Sequence, residues 1–293
     1  MEDYPLHVKE LEKSFKKKLG LSSFKAVDNI NFSLSEGEIL GFLGPNGAGK
    51  TTAIKCILGL LKPTSGNVTL WGLHPASSEV RKRIGYVPEN PDYDDAFTPV
   101  EFMTMFSHMR KLNMRKDRML AILGRVGLSE WENVRIRNFS KGMRQRVSLA
   151  LALQSEPDLM IMDEPTGGLD PAARKEFRDI ILEENQRGAS IFLSSHLLSE
   201  VETICDRAII LSKGKKVAEG NLEDLMRTED NYRITYLQPD KEEDEPEELE
   251  IKSEVLQKTI DDLRGDGYNI ISVRPVYRSL EDVFLSATGG GGR

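Results

Sequence analysis

The sequence predicts an α/β protein whose core is a parallel, doubly wound sheet. Short apolar runs alternate along the chain with helix-compatible segments, as in sheets with helices on both faces. One of these runs, residues 39–43, leads through a glycine-rich turn into a helical stretch over 51–61. At 293 residues the chain is long enough for a large domain and a smaller one. We therefore expect a main domain over 1–225 and a small α+β accessory domain over 226–288.

The elements around the turn follow from local patterns. Strands are predicted over residues 6–15, 26–36, 67–71 and 84–87, of which the first two form an antiparallel β flap. Apolar residues at helical spacing predict helices over 98–112 and 116–126, with Thr98 as N-cap and Pro99 at the first helical position. These helices begin a helical insert over about 98–150.

The second half of the main domain continues the alternation. Helices are predicted over 140–153 and 171–186, and buried strands over 159–162, 191–193 and 208–211. The accessory domain shows the order strand, helix, strand, helix at 232–237, 253–263, 268–277 and 280–287. We expect residues 240–250 to form a flexible acidic loop and residues 289–293 a disordered tail.

The composition is that of an ordinary globular protein, with 39% hydrophobic and 30% charged residues. Residues 240–250 hold eight carboxylates and one lysine, which accounts for the net charge of −7 and leaves the rest balanced. No nucleic-acid partner is expected, because such binding needs a basic face. Cys56 and Cys205 match no metal or redox spacing and are expected to be buried. With no signal-peptide pattern and no apolar run near the roughly 18 to 20 residues of a membrane span, we expect a cytoplasmic chain.

The glycine-rich turn fits the pattern G-x-x-x-x-G-K-[ST] in the strand-turn-helix context that phosphate binding requires. Its glycines let backbone N–H groups point at phosphate oxygens, and the following helix N-terminus adds partial positive charge. Lys50 would reach the β- and γ-phosphates, and the Thr51 hydroxyl would help to hold Mg²⁺. The sequence therefore predicts a P-loop NTPase core with an ATP or GTP site at Gly44, Pro45, Asn46, Gly47, Ala48, Gly49, Lys50, Thr51 and Thr52. A glycine-rich turn without a ligand is the alternative.

A carboxylate pair follows the buried strand predicted at 159–162. Asp163 would hold Mg²⁺ through water, and Glu164 would polarise an attacking water as a general base. The alternative is a solvated strand end.

Five motifs in order make residues 5–225 resemble the ATP-binding subunit of an ABC transporter. GPNGAGKTT resembles the Walker A motif of that family, LMIMDEP its Walker B motif and FSKGM its signature motif. GGLD resembles its D-loop, and SSH, which ends at His196, resembles its switch histidine. The resemblance implies an ATPase that uses ATP and Mg²⁺.

In this family ATP lies between two subunits arranged head to tail. The resemblance therefore implies a second ATP-binding subunit, either an identical chain or a close paralogue. Ser140 and Gly142 would contact the partner's γ-phosphate, and Asp170 would bond across the dimer. Ser140 and Asp170 also suit ordinary helix N-caps.

Two ring side chains have implied roles with open alternatives. His196 resembles the residue that contacts the γ-phosphate and orients water and Glu164, although a histidine at a helix start fits the same position. Phe15 resembles the aromatic residue that stacks on adenine. Phe24 is its rival, and core packing is the other alternative for Phe15.

The chain departs from the family pattern at two places. Glu89 stands where most members have glutamine; a carboxylate there could still ligate Mg²⁺, but it adds negative charge near the triphosphate. The signature reads FSKGM instead of LSGGQ, so that Lys141 and Met143 replace glycine and glutamine. Ser140 and Gly142 remain, and Lys141 would add positive charge.

The resemblance also implies a separate membrane permease that docks beside Glu89 and the helical insert, which places the chain at the inner face of the cell membrane. Phe102, Met105 and Phe106 are candidates for that contact or for packing within the insert. The stretch SLEDVF in the accessory domain resembles the tail of export-type subunits and favours export over import. The alternative function is a soluble ABC-type ATPase acting on nucleic acid or ribosomes, although the long coiled-coil insert or second ATP-binding half usual in such proteins does not occur here.

Overall fold

The chain divides into two compact units, Met1–Gly220 and Asn221–Arg293. The computed structural model describes residues 4–16, 23–238 and 246–289. The strands of the first unit are β1 (Leu6–Lys16), β2 (Ser23–Leu34), β3 (Ile39–Leu43), β4 (Ser65–Thr69), β5 (Ile84–Val87), β6 (Leu159–Asp163), β7 (Ser190–Ser195), β8 (Arg207–Ser212) and β9 (Lys215–Asn221). Its helices are α1 (Lys50–Ile57), α2 (Ser78–Arg83), α3 (Pro99–Arg110), α4 (Lys116–Arg125), α5 (Lys141–Leu153), α6 (Pro171–Gln186) and α7 (Leu198–Ile204).

The central sheet has six strands in the order β5-β6-β7-β3-β8-β9. The pairs from β5 through β8 are parallel, which confirms the predicted parallel core. Strands β3, β6 and β7 are buried along their whole length, as expected where both faces of a parallel sheet are covered. After β3 the chain crosses to β5 at the edge of the sheet, so the strand order reverses beside β3. Ligands of such sheets bind at the carboxyl ends of the strands near this reversal.

The antiparallel flap has three strands in the order β2-β1-β4, one more than the predicted pair. Phe32 of β2 reaches Phe42 of β3 and Phe192 of β7, with ring centroids 5.6 Å from each. Phe42 and Phe192 lie 5.1 Å apart. Because the three rings are buried together, they fix the flap on the central sheet.

The helical insert begins with α3 as predicted. Thr98 and Glu101 form a capping box, and Pro99 occupies the first turn. Phe102 packs against Tyr93, with ring centroids 4.9 Å apart, and against Phe97 at 6.0 Å. Met103, which the sequence analysis did not single out, is buried, whereas Phe102, Met105 and Phe106 are partly exposed.

The second unit contains α8 (Leu222–Met226), β10 (Arg227–Leu237), β11 (Glu247–Lys252), α9 (Ser253–Gly265), β12 (Asn269–Tyr277) and α10 (Leu280–Thr288). Its antiparallel sheet has the order β11-β10-β12, and Ile234 in the middle strand is fully buried. The predicted acidic loop over 240–250 was wrong at its end, because residues 247–250 pair with β10 as part of β11. Residues 239–245 and 290–293 of the predicted loop and tail lie outside the described part of the chain.

Within the described ranges, no helix combines the length and apolar character needed to span a bilayer.

Candidate active site

Three parallel strands bring the main candidate residues to one edge of the central sheet. In the strand register Leu43 lies beside Ser195, and Asp163 lies beside Ser194. The segments that follow β3, β6 and β7 therefore start at the same edge. These segments carry the glycine-rich turn, Glu164 and His196, which are distant in sequence.

The glycine-rich turn ends in a residue that only glycine can occupy. Gly49 has φ of 105°, and a Cβ at this position would lie 2.1 Å from the carbonyl oxygen of Ala26. This close approach allows α1 to start directly at Lys50. The Lys50 side chain is 6% exposed and folds back over the turn, where Nζ donates to the carbonyl oxygens of Gly44 at 2.6 Å and Pro45 at 3.5 Å.

Glu164 is held from three sides. Its carboxylate Oε1 lies 3.1 Å from Lys50 Nζ, and its Oε2 contacts His196 Nδ1 and accepts from the His196 backbone N–H at 3.3 Å. Its own backbone N–H donates to the Ser194 carbonyl at 3.2 Å and to Ser194 Oγ at 3.0 Å. The residue has φ of 49°, in the left-handed region that non-glycine residues rarely adopt. Glu164 thus joins Lys50 and His196, the three residues predicted to be catalytic.

Asp163 lies behind this group, with 1% of its surface exposed. Its Oδ1 accepts from Ser194 Oγ at 2.8 Å, and the Thr51 hydroxyl also bonds to this carboxylate. Burial raises the pKa of Asp163; the bonds from Ser194 and Thr51 oppose this rise, and the charges of Glu89 and Glu164 add to it. Of the three predicted metal ligands, Thr51 therefore bonds to Asp163, and the charge of Glu89 acts on Asp163.

Ser194 is a site residue that the sequence analysis did not identify. Its hydroxyl accepts from Glu164 N–H and donates to Asp163, so one buried side chain orients both carboxylate residues. Its position as the first serine of SSH, directly after a buried strand, was the available signal. The pairing with Asp163 depends on the register between β6 and β7, which local sequence does not specify.

A cavity of about 600 Å³ opens at this edge, a size typical of small-molecule sites. Of the predicted residues, those that line it are Pro45, Asn46, Gly47, Ala48, Gly49, Lys50, Thr51, Thr52, Glu89, Glu164 and His196. Phe24, Ala26, Lys141, Gly167 and Gly168 also contribute to the lining. Among the described residues, the predicted positions outside the lining are Phe15, Gly44, Asp163, Ser140, Gly142 and Asp170.

The lining of this cavity distinguishes the two aromatic candidates. Phe15 and Phe24 lie opposite each other in the pairing of β1 with β2, and both are exposed, by 42% and 53%. Phe24 lines the cavity, whereas the ring of Phe15 lies outside the lining with Lys13 Nζ 5.3 Å from its centroid. The position therefore favours Phe24, the rival candidate, as the residue nearest to a bound base.

The other candidates begin helices. Ser140 is the N-cap of α5, where its Oγ accepts from Met143 N–H at 3.3 Å. Asp170 is the N-cap of α6, where its Oδ1 accepts from Ala173 N–H at 2.9 Å. Gly142 faces the same loop as Asp170, because a Cβ on Gly142 would lie 3.1 Å from Leu169 Cδ2. Within one chain, Ser140 and Asp170 therefore act as ordinary helix N-caps.

The oxygen donors at the strand edge suit Mg²⁺. Among the described residues, no three histidine, cysteine, aspartate or glutamate side chains form a protein-only metal group. Mg²⁺ bound together with nucleotide phosphates needs only one or two carboxylates, since phosphates and water supply the other ligands. Hard oxygen ligands of this kind are offered by Asp163, by the Thr51 hydroxyl that donates to it, and by Glu89 at the cavity.

Comparison with known proteins agrees with this geometry. Residues 27–167 match the family model described as ABC transporter. An uncharacterised ABC transporter ATP-binding protein of Bacillus subtilis, YdbJ, is 37% identical over 97% of this chain and 95% of its own length. The Nod factor export ATP-binding protein I of Burkholderia thailandensis is 35% identical over 97% of each chain.

A solved structure shares the arrangement. The ATP-binding cassette MJ0796, in a dimeric post-hydrolysis state bound to ADP and Pi, superposes with a TM-score of 0.68 at 25% identity, over 74% of this chain and 98% of that one. The predicted P-loop NTPase fold is thus confirmed. The chain belongs to the ABC transporter family as an ATP-binding subunit with the ATPase fold and activity of that family.

Proposed function

We propose that this subunit hydrolyses ATP in a head-to-tail dimer and thereby powers export through a separate membrane permease. The observation that carries the catalytic part is the contact of one buried carboxylate, Glu164, with both Lys50 and His196 at the edge of a parallel sheet. A general base that activates water and a cation that stabilises phosphate charge are groups that γ-phosphate hydrolysis uses, and a histidine can orient the base.

In this proposal Glu164 accepts the proton of the attacking water as the water adds in line to the γ-phosphate. His196 holds the Glu164 carboxylate and the water in position. Lys50 stabilises the charge that develops on the phosphate oxygens. Thr51, Asp163 and Glu89 would hold Mg²⁺, which when bound neutralises phosphate charge.

Lys50 has to exchange partners during this cycle. In the structure its ammonium pairs with Glu164 at 3.1 Å and donates to the Gly44 carbonyl at 2.6 Å. A triphosphate in the turn offers Lys50 a more highly charged partner, so phosphate binding would release the Glu164 carboxylate for water. The base would stack on Phe24 or Phe15 at the flap side of the cavity.

The second half of the site would come from a partner chain. Ser140 and Gly142 at the start of α5 would face the partner's γ-phosphate, and Asp170 would bond across the interface. The dimeric state of MJ0796 supports this arrangement. Either an identical chain or a close paralogue would serve as the partner.

The transport part rests on relatives and on one surface. A relative similar over its whole length is named for export, which supports export here. Glu89 is exposed, and Phe102, Met105 and Phe106 on α3 are only partly buried by their own helices. We propose that this surface contacts the cytoplasmic part of a permease and holds the subunit at the inner face of the membrane.

The test replaces Glu164 by glutamine. Glu164→Gln keeps the size of the side chain and one oxygen acceptor but cannot accept the proton, so phosphate release should fall by about 100- to 10,000-fold. ATP binding should persist, and light scattering should show an ATP-dependent doubling of mass. Glu183→Gln, which changes an exposed carboxylate of α6, serves as the control and should retain turnover. A Glu164→Gln chain that remains monomeric at saturating Mg-ATP would contradict the dimer, and one that retains turnover would contradict the role of Glu164.

A further inference from the structure

A short hydrogen bond joins the loop after β6 to α7. Thr166 Oγ1 donates to Glu200 Oε2 at 2.5 Å, although the two residues are 34 positions apart in sequence. This length is typical of a hydroxyl bonded to an ionised carboxylate, which is a stronger bond than one between neutral groups. Thr166 is 5% exposed, so water has little access to the hydroxyl end of the bond. Neither residue lines the cavity of the candidate active site.

The carboxylate of Glu200 is only partly satisfied. Its second oxygen, Oε1, is buried and has no hydrogen-bond partner among the residues that the structure describes. Burying such an oxygen without a partner is unfavourable. Replacing both partners of a buried hydrogen bond by apolar groups of the same shape is often nearly neutral for stability or even stabilising. A role in positioning therefore explains this pair better than a contribution to stability.

The bond closes a ring of contacts that contains the proposed catalytic pair. Thr166 lies two residues after Glu164, and Glu200 lies four residues after His196. Glu164 itself contacts His196 through the ring Nδ1 and the backbone N–H. The segments that follow the neighbouring parallel strands β6 and β7 are thus joined at two points. One contact would let the two segments pivot about it, whereas two contacts fix their relative orientation.

The loop that carries Thr166 needs such support, because its backbone is strained at Glu164. This residue has φ of 49°, a conformation that a non-glycine residue keeps only when its surroundings enforce it. Within the loop, Gly167 N–H donates to the Glu164 carbonyl at 3.1 Å, and Leu169 N–H donates to the Thr166 carbonyl at 3.1 Å. The bond from Thr166 to Glu200 adds an anchor outside the loop.

We infer that Thr166 and Glu200 are positioning residues for hydrolysis. Their bond keeps His196 against Glu164 after a triphosphate has taken the Lys50 ammonium away from Glu164. This inference rests on the proposed function, in which Lys50 changes partners during the cycle. Without Lys50, Glu164 depends more strongly on His196, whose side chain is 48% exposed. The second contact between the two segments holds that histidine in place.

The experiment breaks the bond from either end and measures phosphate release against ATP concentration. Thr166→Val and Glu200→Met should each lower kcat by about tenfold, because misplacing a catalytic group by a fraction of an ångström is costly. The KM for ATP should be unchanged, since the phosphate turn is intact. Thr166→Ser keeps the hydroxyl and should restore most of kcat. Thr203→Val on α7 is the matched control and should change neither constant, because its hydroxyl donates only to the Ser199 carbonyl of the same helix, at 2.6 Å.

The double variant separates positioning from stability. Thr166→Val/Glu200→Met replaces both partners by apolar side chains, so the midpoint temperature of thermal unfolding should return close to that of the unchanged protein. Its kcat should stay about tenfold low, as in either single variant, because the same bond is missing. Recovery of kcat together with stability would show that the bond is structural and would overturn the inference. The double variant also provides this test if a single variant fails to fold.

The outcomes distinguish this inference from the proposed function. If Glu164→Gln retains turnover, the proposed function is wrong, and the positioning role of Thr166 is wrong with it. If Glu164→Gln abolishes turnover while Thr166→Val keeps the kcat of the unchanged protein, only the positioning role is overturned. A rise in the KM for ATP without a fall in kcat would also overturn it, because the bond would then support binding instead of the chemical step.

Discussion

The two parts of the proposed ATP site differ in how completely one chain builds them. At the edge of the central sheet, Glu164 is 8% exposed and already contacts Lys50 and His196. At the start of α5, Ser140 is exposed and only caps its helix, and the charge of Lys141 is unpaired among the described residues. The first part is preorganised by the fold of a single chain. The second part has unused hydrogen-bonding capacity and charge, as expected if a second chain uses them.

The difference has a physical basis. Burying a carboxylate is unfavourable unless it is paired or hydrogen-bonded, so residues at the strand edge must bond to one another within the chain. Exposed groups at a helix start are solvated by water and need no such partner. A residue of the first part should therefore affect both stability and chemistry when changed, whereas a residue of the second part should mainly affect association.

Of the changes that compare the two parts, the largest effect is expected at Lys50. Lys50→Met removes the cation from the phosphates and leaves Glu164 buried without its ion pair, so phosphate release should fall by about 100-fold or more. The midpoint temperature of thermal unfolding should also fall, because an unpaired buried carboxylate is destabilising. Lys175→Met is the matched control and should change neither property. If Lys50→Met released phosphate as fast as the unchanged protein, the strand edge would not be the part of the site that carries out the chemistry.

A smaller effect is expected at Ser194. Ser194→Ala removes the hydroxyl that bonds Glu164 N–H and Asp163, so turnover should fall by about tenfold, and stability by about 1–3 kcal/mol. Ser190→Ala is the matched control. Ser190 is buried on the same strand and makes two hydrogen bonds at its other end, with Gly37 N–H and the Ser35 carbonyl. The Ser190→Ala protein should lose stability, measured by urea unfolding, but keep its rate of turnover. Equal loss of turnover in both variants would show that Ser194 acts only through stability.

Ser140 tests the second part of the site. Ser140→Ala should raise the ATP concentration for dimerisation by about tenfold in the Glu164→Gln background, while lowering stability by about 1 kcal/mol through loss of the cap. Ser279→Ala removes the N-cap of α10 in the second unit and controls for capping alone. It should lower stability without changing dimerisation. If the two variants behave alike, Ser140 is a cap and nothing more.

The smallest effect is expected at Glu89. Glu89→Gln removes one negative charge from the proposed Mg²⁺ site. The half-saturating Mg²⁺ concentration for turnover should therefore rise by about two- to fivefold. Asp92→Asn, an exposed carboxylate outside the cavity lining, controls for general charge effects. An unchanged Mg²⁺ requirement in Glu89→Gln would remove Glu89 from the metal site.

Much of the fold followed from local patterns. The apolar runs that became β5, β6 and β7, the capped start of α3 and the whole of α6 were predicted because their signals are contained in a few adjacent residues. Short elements with weak local patterns, such as α2, α7 and β9, were not predicted. The C-terminal acidic stretch was predicted as loop, but cross-strand pairing with β10 draws residues 247–250 into a strand.

The sequence by itself determined the identities and order of most candidate site residues, because motifs such as the glycine turn place their chemistry within a few positions of the chain. Tertiary structure alone decided which distant residues meet. The register of β6 with β7 places Ser194 beside Asp163, where its hydroxyl bonds to the Asp163 carboxylate and to the Glu164 N–H. The pairing and packing of the flap bring Phe24, not Phe15, to the cavity. The loop after β6 places Gly168 next to the side chain of Lys141. These contacts join segments far apart in sequence, and only the packed core holds them in place.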